Sequence, residues 1–307
     1  MTAVVTTHRI EDETERTLLQ VAQAGPPAIA QRLKDLDREW DTDRVIELDA
    51  AVTGLTGLLL GALHRRGWLG LTAFVGGAVW LHAVQGWHPL RPLLRRAGVR
   101  TAREIARERY ALKALRGDFS GLTDGHGGQP TLEAPGQPVE SGSANEPEPA
   151  CQSRLPDTAR RVACHTDPAI NAALRRRTEG TLMRLQHAAP EAIDAHVVTL
   201  EHEWDVERVV QLNASTLVLA GVALGTLVDR RLLLLPAAVL GFFGQHALQG
   251  WCPPIPVIRR LGVRTVGEIE REHHAIKALR GDYDELPSAD APDAHARVRS
   301  VLRAIDR

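Results

Sequence analysis

Four apolar blocks stand out along a chain that is otherwise polar: Val45–Leu63, Trp68–Trp87, Val209–Val228 and Leu232–Trp251. The last reads LLLLPAAVLGFFGQHALQGW, without a charge and long enough to cross a bilayer as a helix. A soluble helix facing a core keeps a polar stripe, yet Thr53–Leu63 and Leu69–Leu81 are apolar or small all the way round. The blocks are joined in pairs by His64-Arg65-Arg66-Gly67 and Asp229-Arg230-Arg231, turns short enough to force antiparallel helical hairpins. Gly57-x-x-x-Gly61 and Gly221-x-x-x-Gly225 give the first helix of each hairpin the small-residue spacing that lets membrane helices approach closely. Glycine inside a soluble helix costs up to about 1 kcal/mol for little return. The blocks therefore read as membrane spans rather than as two soluble hairpins.

The pattern occurs twice. A shift of 164 residues aligns Ile10–Phe119 with Leu174–Tyr283 without a gap, and about half the positions from Glu39 onward are identical, as in a tandem repeat. Glu39-Trp40-Asp41 meets Glu203-Trp204-Asp205, and Lys113–Asp118 matches Lys277–Asp282 throughout. The predicted fold is all-α and integral to a membrane: two tandem modules, 10–119 and 168–283, each with a transmembrane hairpin (about 45–87 and 209–251) flanked by cytoplasmic amphipathic helices. A helix opens at Pro26-Pro27 and carries Ile29, Leu33, Leu36 and Trp40 at helical spacing, and its copy starts at Pro190. A charged helix follows each hairpin, opening on the capping boxes Thr101…Glu104 and Thr265…Glu268. Residues 120–167, rich in Gly, Pro, Ser and Glu, read as a disordered linker. Residues 284–307 read as a polar tail with a short helix from Ala294.

Composition alone would mislead. The net charge of −1 and slightly negative mean hydropathy look soluble and give no hint of nucleic acid, but the apolar residues are gathered into four blocks and charges fill the segments between them. Cys151, Cys164 and Cys252 make no disulfide framework by spacing, and the N-terminal segment has no signal-peptide pattern. Arg91, Arg95, Arg96, Arg100 and Arg103, and later Arg259, Arg260 and Arg264, follow the second span of each pair, whereas each turn carries two arginines. The positive-inside rule then puts both termini and the linker in the cytoplasm, with Trp40, Trp87, Trp204 and Trp251 at one interface.

Depth suggests which polar residues meet. In a symmetric antiparallel hairpin, positions whose numbers share one sum lie at one depth. Arg44 and Trp87 then match Asp49 and His82, and Arg208 and Trp251 match Asn213 and His246. These four polar residues lie ~8 Å inside the interface, where a lone charge is costly and a paired one tolerable. Asp49–His82 and Asn213–His246 contacts are expected, as a proton- or ion-responsive pocket or as hydrogen bonds fixing hairpin register. Cys252 is a candidate thiol if Arg259 and Arg260 lower its pKa, or a small residue at a Cys-Pro helix exit. Cys151 and Cys164-His165 match no compact zinc pattern, and His273-His274, in place of Arg109-Tyr110, reads as a solvated helix face. No metal, cofactor or catalytic residue is assigned, since no nucleophile–base or nucleotide motif occurs.

Glu207-Arg208-Val-Val-Gln-Leu, the short turn, Gly250-Trp251-Cys252-Pro253-Pro254 and Leu261-Gly262-Val263-Arg264-Thr265 resemble the YgaP-like inner-membrane domain family. The resemblance covers the hairpin and its exit in both modules, about half the chain. It implies a small integral domain of a bacterial-type inner membrane with no enzyme chemistry of its own. Some members are fused to a rhodanese sulfurtransferase, and no rhodanese-like βα pattern or active-site loop occurs here. Cys252 corresponds to His88 in the first copy, so the thiol is not shared by both modules. The expected function is a structural or interaction module whose partners are the bilayer, another copy or a membrane or cytoplasmic protein. A small transporter or ion-responsive element, and a thiol or sulfur relay through Cys252, are the alternatives.

Overall fold

Helix boundaries fall where the sequence supplies caps and breakers. The structure, a computed structural model, describes residues 2–119, 156–288 and 291–307, with residues 2–7 as backbone only. It is all-helical, without a strand among the described residues. Helix α1 (Thr2–Ala24) ends at Gly25, and the prolines at the first turn of α2 (Pro26–Arg38) suit helix entry. The Asp41 carboxylate accepts from the Arg44 N–H to start α3 (Thr42–Leu63). A 3-10 turn, Arg66–Trp68, leads into α4 (Leu69–Gln85). The proline-broken stretch after it is a short helix, α5 (Arg91–Arg96), and α6 (Ala102–Arg116) opens on the complete Thr101–Glu104 capping box.

The same order then recurs. After the single turn α7 (Arg161–Cys164) come α8 (Pro168–Leu185), α9 (Pro190–Glu201), α10 (Val206–Leu227) and α11 (Leu234–Gln249). They are followed by α12 (Ile255–Arg260), α13 (Val266–Arg280) and α14 (Ala294–Asp306). Helices α1 and α8 open the two runs, and composition alone had not marked either. Of the linker read at 120–167, residues 120–155 lie outside the described residues. From Pro156 onward the chain is ordered against the body, with Arg161 and Val162 buried. The C-terminal segment is likewise no simple polar tail. Val298, Val301, Ala304 and Ile305 of α14 share a core with Leu18, Leu36 and Leu112 from α1, α2 and α6. A separate core of Leu182, Leu200, Ile269 and Ile276 joins α8, α9 and α13.

The four long apolar helices form one bundle. Each hairpin packs internally, and α3 also lies on α11 while α4 lies on α10. The spaced glycines face their own hairpin partner. A β-carbon at Gly57 would stand 2.6 Å from Thr72 Oγ1, and one at Gly221 2.5 Å from Pro236 Cδ. Gly61 and Gly225 meet Leu69 and Leu233 in the same way. Gly57→Val and Gly221→Val should therefore each cost about 1–3 kcal/mol in thermal or chemical unfolding. Gly77→Ala and Gly241→Ala, where nothing lies within 4 Å, should not. Equal effects at all four positions would contradict this packing.

Three pairs of residues 164 apart in sequence touch one another, as residues on a local two-fold axis do. Gln211 Nε2 donates to Glu47 Oε1 at 3.2 Å, Tyr110 stacks on His274 at 3.8 Å, and Phe119 stacks on Tyr283 at 4.3 Å between ring centres. His274, expected on a solvated face, is instead buried and bonds the Tyr283 hydroxyl at 2.6 Å. Tyr110 at the corresponding position is buried beside it, so correspondence between copies could not reveal solvent exposure there.

Arginine clamps tie together the segments that flank each hairpin. Arg100 bonds Glu39 and Glu108, and Arg264 bonds Glu203 and Glu272. Burial alone would raise the Glu108 and Glu272 carboxyls. Arg32 and Arg100 at the first, and His196, Arg264 and Thr178 at the second, more than reverse this and hold both below the ordinary carboxylate value. Groups depressed on folding contribute stability that is full above the unfolded pKa, about 4.3, and is lost as pH falls through the lower folded values. The melting temperature should therefore fall on acidification below about pH 4. An unchanged melt at pH 3, followed by circular dichroism, would contradict the clamps.

Candidate functional site

Charged side chains gather at the end of the bundle where α3 and α10 begin and α4 and α11 finish. The last carbonyls of a helix have no partner within it, and here two arginines supply one across the bundle. Arg44 Nε donates to Ala247 O at 2.7 Å and Nη2 to Leu248 O at 3.0 Å. Arg208 does the same for Ala83 O and Val84 O at 2.6 and 3.1 Å. Each guanidinium lies over a tryptophan, Arg44 over Trp40 and Arg208 over Trp204, 4.1 and 4.2 Å from the ring centres. Each helical end is thus held by the opposite hairpin.

The histidines find carboxylates, though not at the positions expected from depth. His82 Nε2 lies 2.7 Å from Asp43 Oδ1, and His246 Nε2 lies 2.6 Å from Glu207 Oε2. The anticipated Asp49–His82 and Asn213–His246 pairs do not form. Asp49 and Asn213 are exposed on the outside of the bundle. Six residues of helix turn a side chain by about 120°, so Asp43 and Asp49 leave α3 in different directions. Equal depth does not select a face.

One side of the cluster has no counterpart on the other. Helix α7 places Arg161, fully buried, against the end of α11. Its Nη1 donates to Ala247 O at 3.0 Å, and its Nη2 lies 3.0 Å from Glu207 Oε1. Glu47, also fully buried, lies 3.7 Å from Arg161, and among the described residues its Oε2 has no hydrogen-bond partner. Burial pulls Arg161 toward losing its proton, but Glu207, Glu47 and Asp41 outweigh that and hold it above the usual arginine range. Sequence reasoning passed over Glu47 and Arg161, and met Glu207 only as the first residue of a family-like motif. A signal was present: Asp43 and Glu47 are one helical turn apart, and carboxylates inside apolar spans invite a search for partners.

Cys252 and His88 occupy matching places next to the cluster. The Cys252 thiol is free and buried. Burial, then the charges of Glu47 and Glu207, push it up to about 12. The arginines do not lower it, because Arg259 is engaged by Glu268, Asn171 and Thr166. Iodoacetamide at pH 7.5 should therefore modify Cys252 only after unfolding; rapid labelling of the folded protein would contradict this burial. His88 stands edge-on to His82, ring centres 5.6 Å apart, and burial and then His82 push it down to about 4. Cys164 is disulfide-bonded, contrary to the expectation of no bridged cysteine, whereas Cys151 lies outside the described residues.

Compared with known proteins, the chain matches no family model, no curated protein and no solved structure. Fold and site together define an all-helical protein with four helices long and apolar enough to cross a membrane. A buried charged cluster closes one end of that bundle.

Proposed function

We propose that the chain is a multi-pass membrane protein built from two copies of one module, acting as a structural and interaction element of the bilayer rather than as an enzyme. The observation that carries this is the inversion of the bundle. Leu59, Phe74, Leu227 and Leu234 project outward, while Glu47, His246 and Arg161 lie inside. Outward apolar side chains of this extent need lipid or a partner to cover them. Contacts between residues 164 apart support the duplication. The resemblance to the YgaP-like domains supports a bacterial-type inner membrane, and the helices outside the bundle are the surfaces on which protein partners would dock.

The arginine-rich exits favour cytoplasmic termini, whereas the disulfide at Cys164 is a bond more usual on an oxidising side. We assign the termini to the cytoplasm on the number of arginines. Arg66→Cys and Arg230→Cys proteins should then react with a membrane-impermeant maleimide added outside intact cells. Labelling only after permeabilisation would reverse the assignment.

The second reading, a small transporter or proton- and ion-responsive element, is favoured by the two part-buried histidine–carboxylate pairs, Asp43–His82 and Glu207–His246. Reconstituted vesicles under a pH gradient separate the two. The structural reading expects no proton flux above that of empty vesicles. Flux that His246→Ala abolishes would replace it with the second. The sulfur relay through Cys252 has the buried, fully protonated thiol against it.

A further inference from the structure

We propose that Glu47, Glu207 and His246 form a site for a first-row divalent cation, and that the Arg161 guanidinium competes with that cation for the two carboxylates. A carboxylate oxygen from each glutamate and a ring nitrogen of His246 all lie within 4.8 Å of one another. Two carboxylates and an imidazole form the ligand set suited to Zn²⁺ or Mn²⁺. The three come from three helices, α3, α10 and α11, whose positions are fixed by the carbonyl-capping arginines and the glycine contacts.

A second observation points to a ligand. Glu47 Oε2 is buried, lies 3.7 Å from the Arg161 guanidinium in this cluster and, among the described residues, has no hydrogen-bond partner. Arg259, equally buried, closes on Glu268 as a two-pronged fork at 2.6 and 2.7 Å. Arg161 forms no such fork. Its Nη1 is spent on the carbonyls of Ala247 and His246, and its Nη2 lies near Glu207 without hydrogen-bond geometry. The guanidinium therefore leaves acceptor capacity unused. Two carboxylates this close need either a cation or a shared proton between them. Gln211, donating to Glu47 Oε1, fixes how that carboxylate is presented, as outer-shell groups do for metal ligands.

The chain predicts one such site and not two. Moving 164 residues along from each ligand, or back, gives Gln211, Asp43 and His82. An amide thus stands where the site has the Glu47 carboxylate, and the described residues contain no other group of this kind.

The test is calorimetric titration of Zn²⁺ into full-length, untagged protein in detergent after treatment with a chelator. One Zn²⁺ should bind per chain. Glu47→Gln should weaken binding by about tenfold or more, and Arg161→Gln, by removing the competing charge, should tighten it by about tenfold or more. Zn²⁺ should also raise the melting temperature of Arg161→Gln further than that of the unaltered protein. If Arg161→Gln fails to fold, the comparison of unaltered protein with Glu47→Gln decides alone. No saturable binding, or binding that Glu47→Gln leaves unchanged, overturns the site and leaves a shared proton between the carboxylates. Equal affinity in Arg161→Gln and unaltered protein overturns the competition.

Discussion

Arg161→Ala should destabilise the protein by about 3–5 kcal/mol, because removing one partner of a buried ion cluster leaves the others uncompensated. Among the described residues, Glu47 would lose the one arginine within ion-pair distance, and Glu207 would keep only His246. The end of α11 would also lose one of two arginines that bind the Ala247 carbonyl. Arg91→Ala is the comparison: Arg91 is exposed and, among the described residues, bonds only the Gly86 carbonyl, so the change should stay within about 0.5 kcal/mol. Chemical unfolding of both variants in one detergent gives the difference. Similar midpoints would mean that Arg161 does not hold the cluster, and that the segment preceding α8 is not docked there.

Gly250→Ala should be far more damaging than Gly86→Ala, although the two glycines end equivalent helices. Both are left-handed, with φ of 76° and 72°, a conformation that costs a residue with a side chain about 1–2 kcal/mol. Their surroundings differ. A β-carbon on Gly250 would meet the Arg161 carbonyl carbon and oxygen at 2.5 and 2.6 Å, whereas on Gly86 the nearest atom is an Arg91 side-chain nitrogen at 3.9 Å. Backbone cannot give way as a side-chain tip can, so Gly250→Ala must push α7 off the bundle and carry Arg161 away from Glu207. We expect about 3 kcal/mol or more at Gly250 against 1–2 at Gly86. Equal losses would show that conformation alone matters, and that the approach of α7 is wrong.

Both predictions concern residues that sequence reading could not place. The apolar blocks, their short turns, the Asp41 and Asp205 caps and the capping boxes at Thr101 and Thr265 are local chemistry, and local chemistry can be read from residue order. The asymmetry is not local. Arg161 belongs by composition to a linker, and nothing in the order of residues says that it returns to the end of α11. Depth could be counted along each hairpin, but the direction in which Asp49 leaves its helix depends on which face the other hairpin covers. That cover arises from α3 lying on α11 and α4 on α10, a long-range fact. The glycine spacing was visible, whereas its target, Thr72 in one hairpin and Pro236 in the other, follows only once the turns set the register.

The central claim is that the outward apolar faces of α3, α4, α10 and α11 meet lipid. Alkaline carbonate extraction of membranes from cells expressing the full chain tests it most directly. Integral hairpins predict that the protein remains in the pellet, as a known multi-pass protein does in the same sample. Release into the supernatant would mean that those faces are covered by protein, and the orientation and the bilayer-embedded role would fall with it.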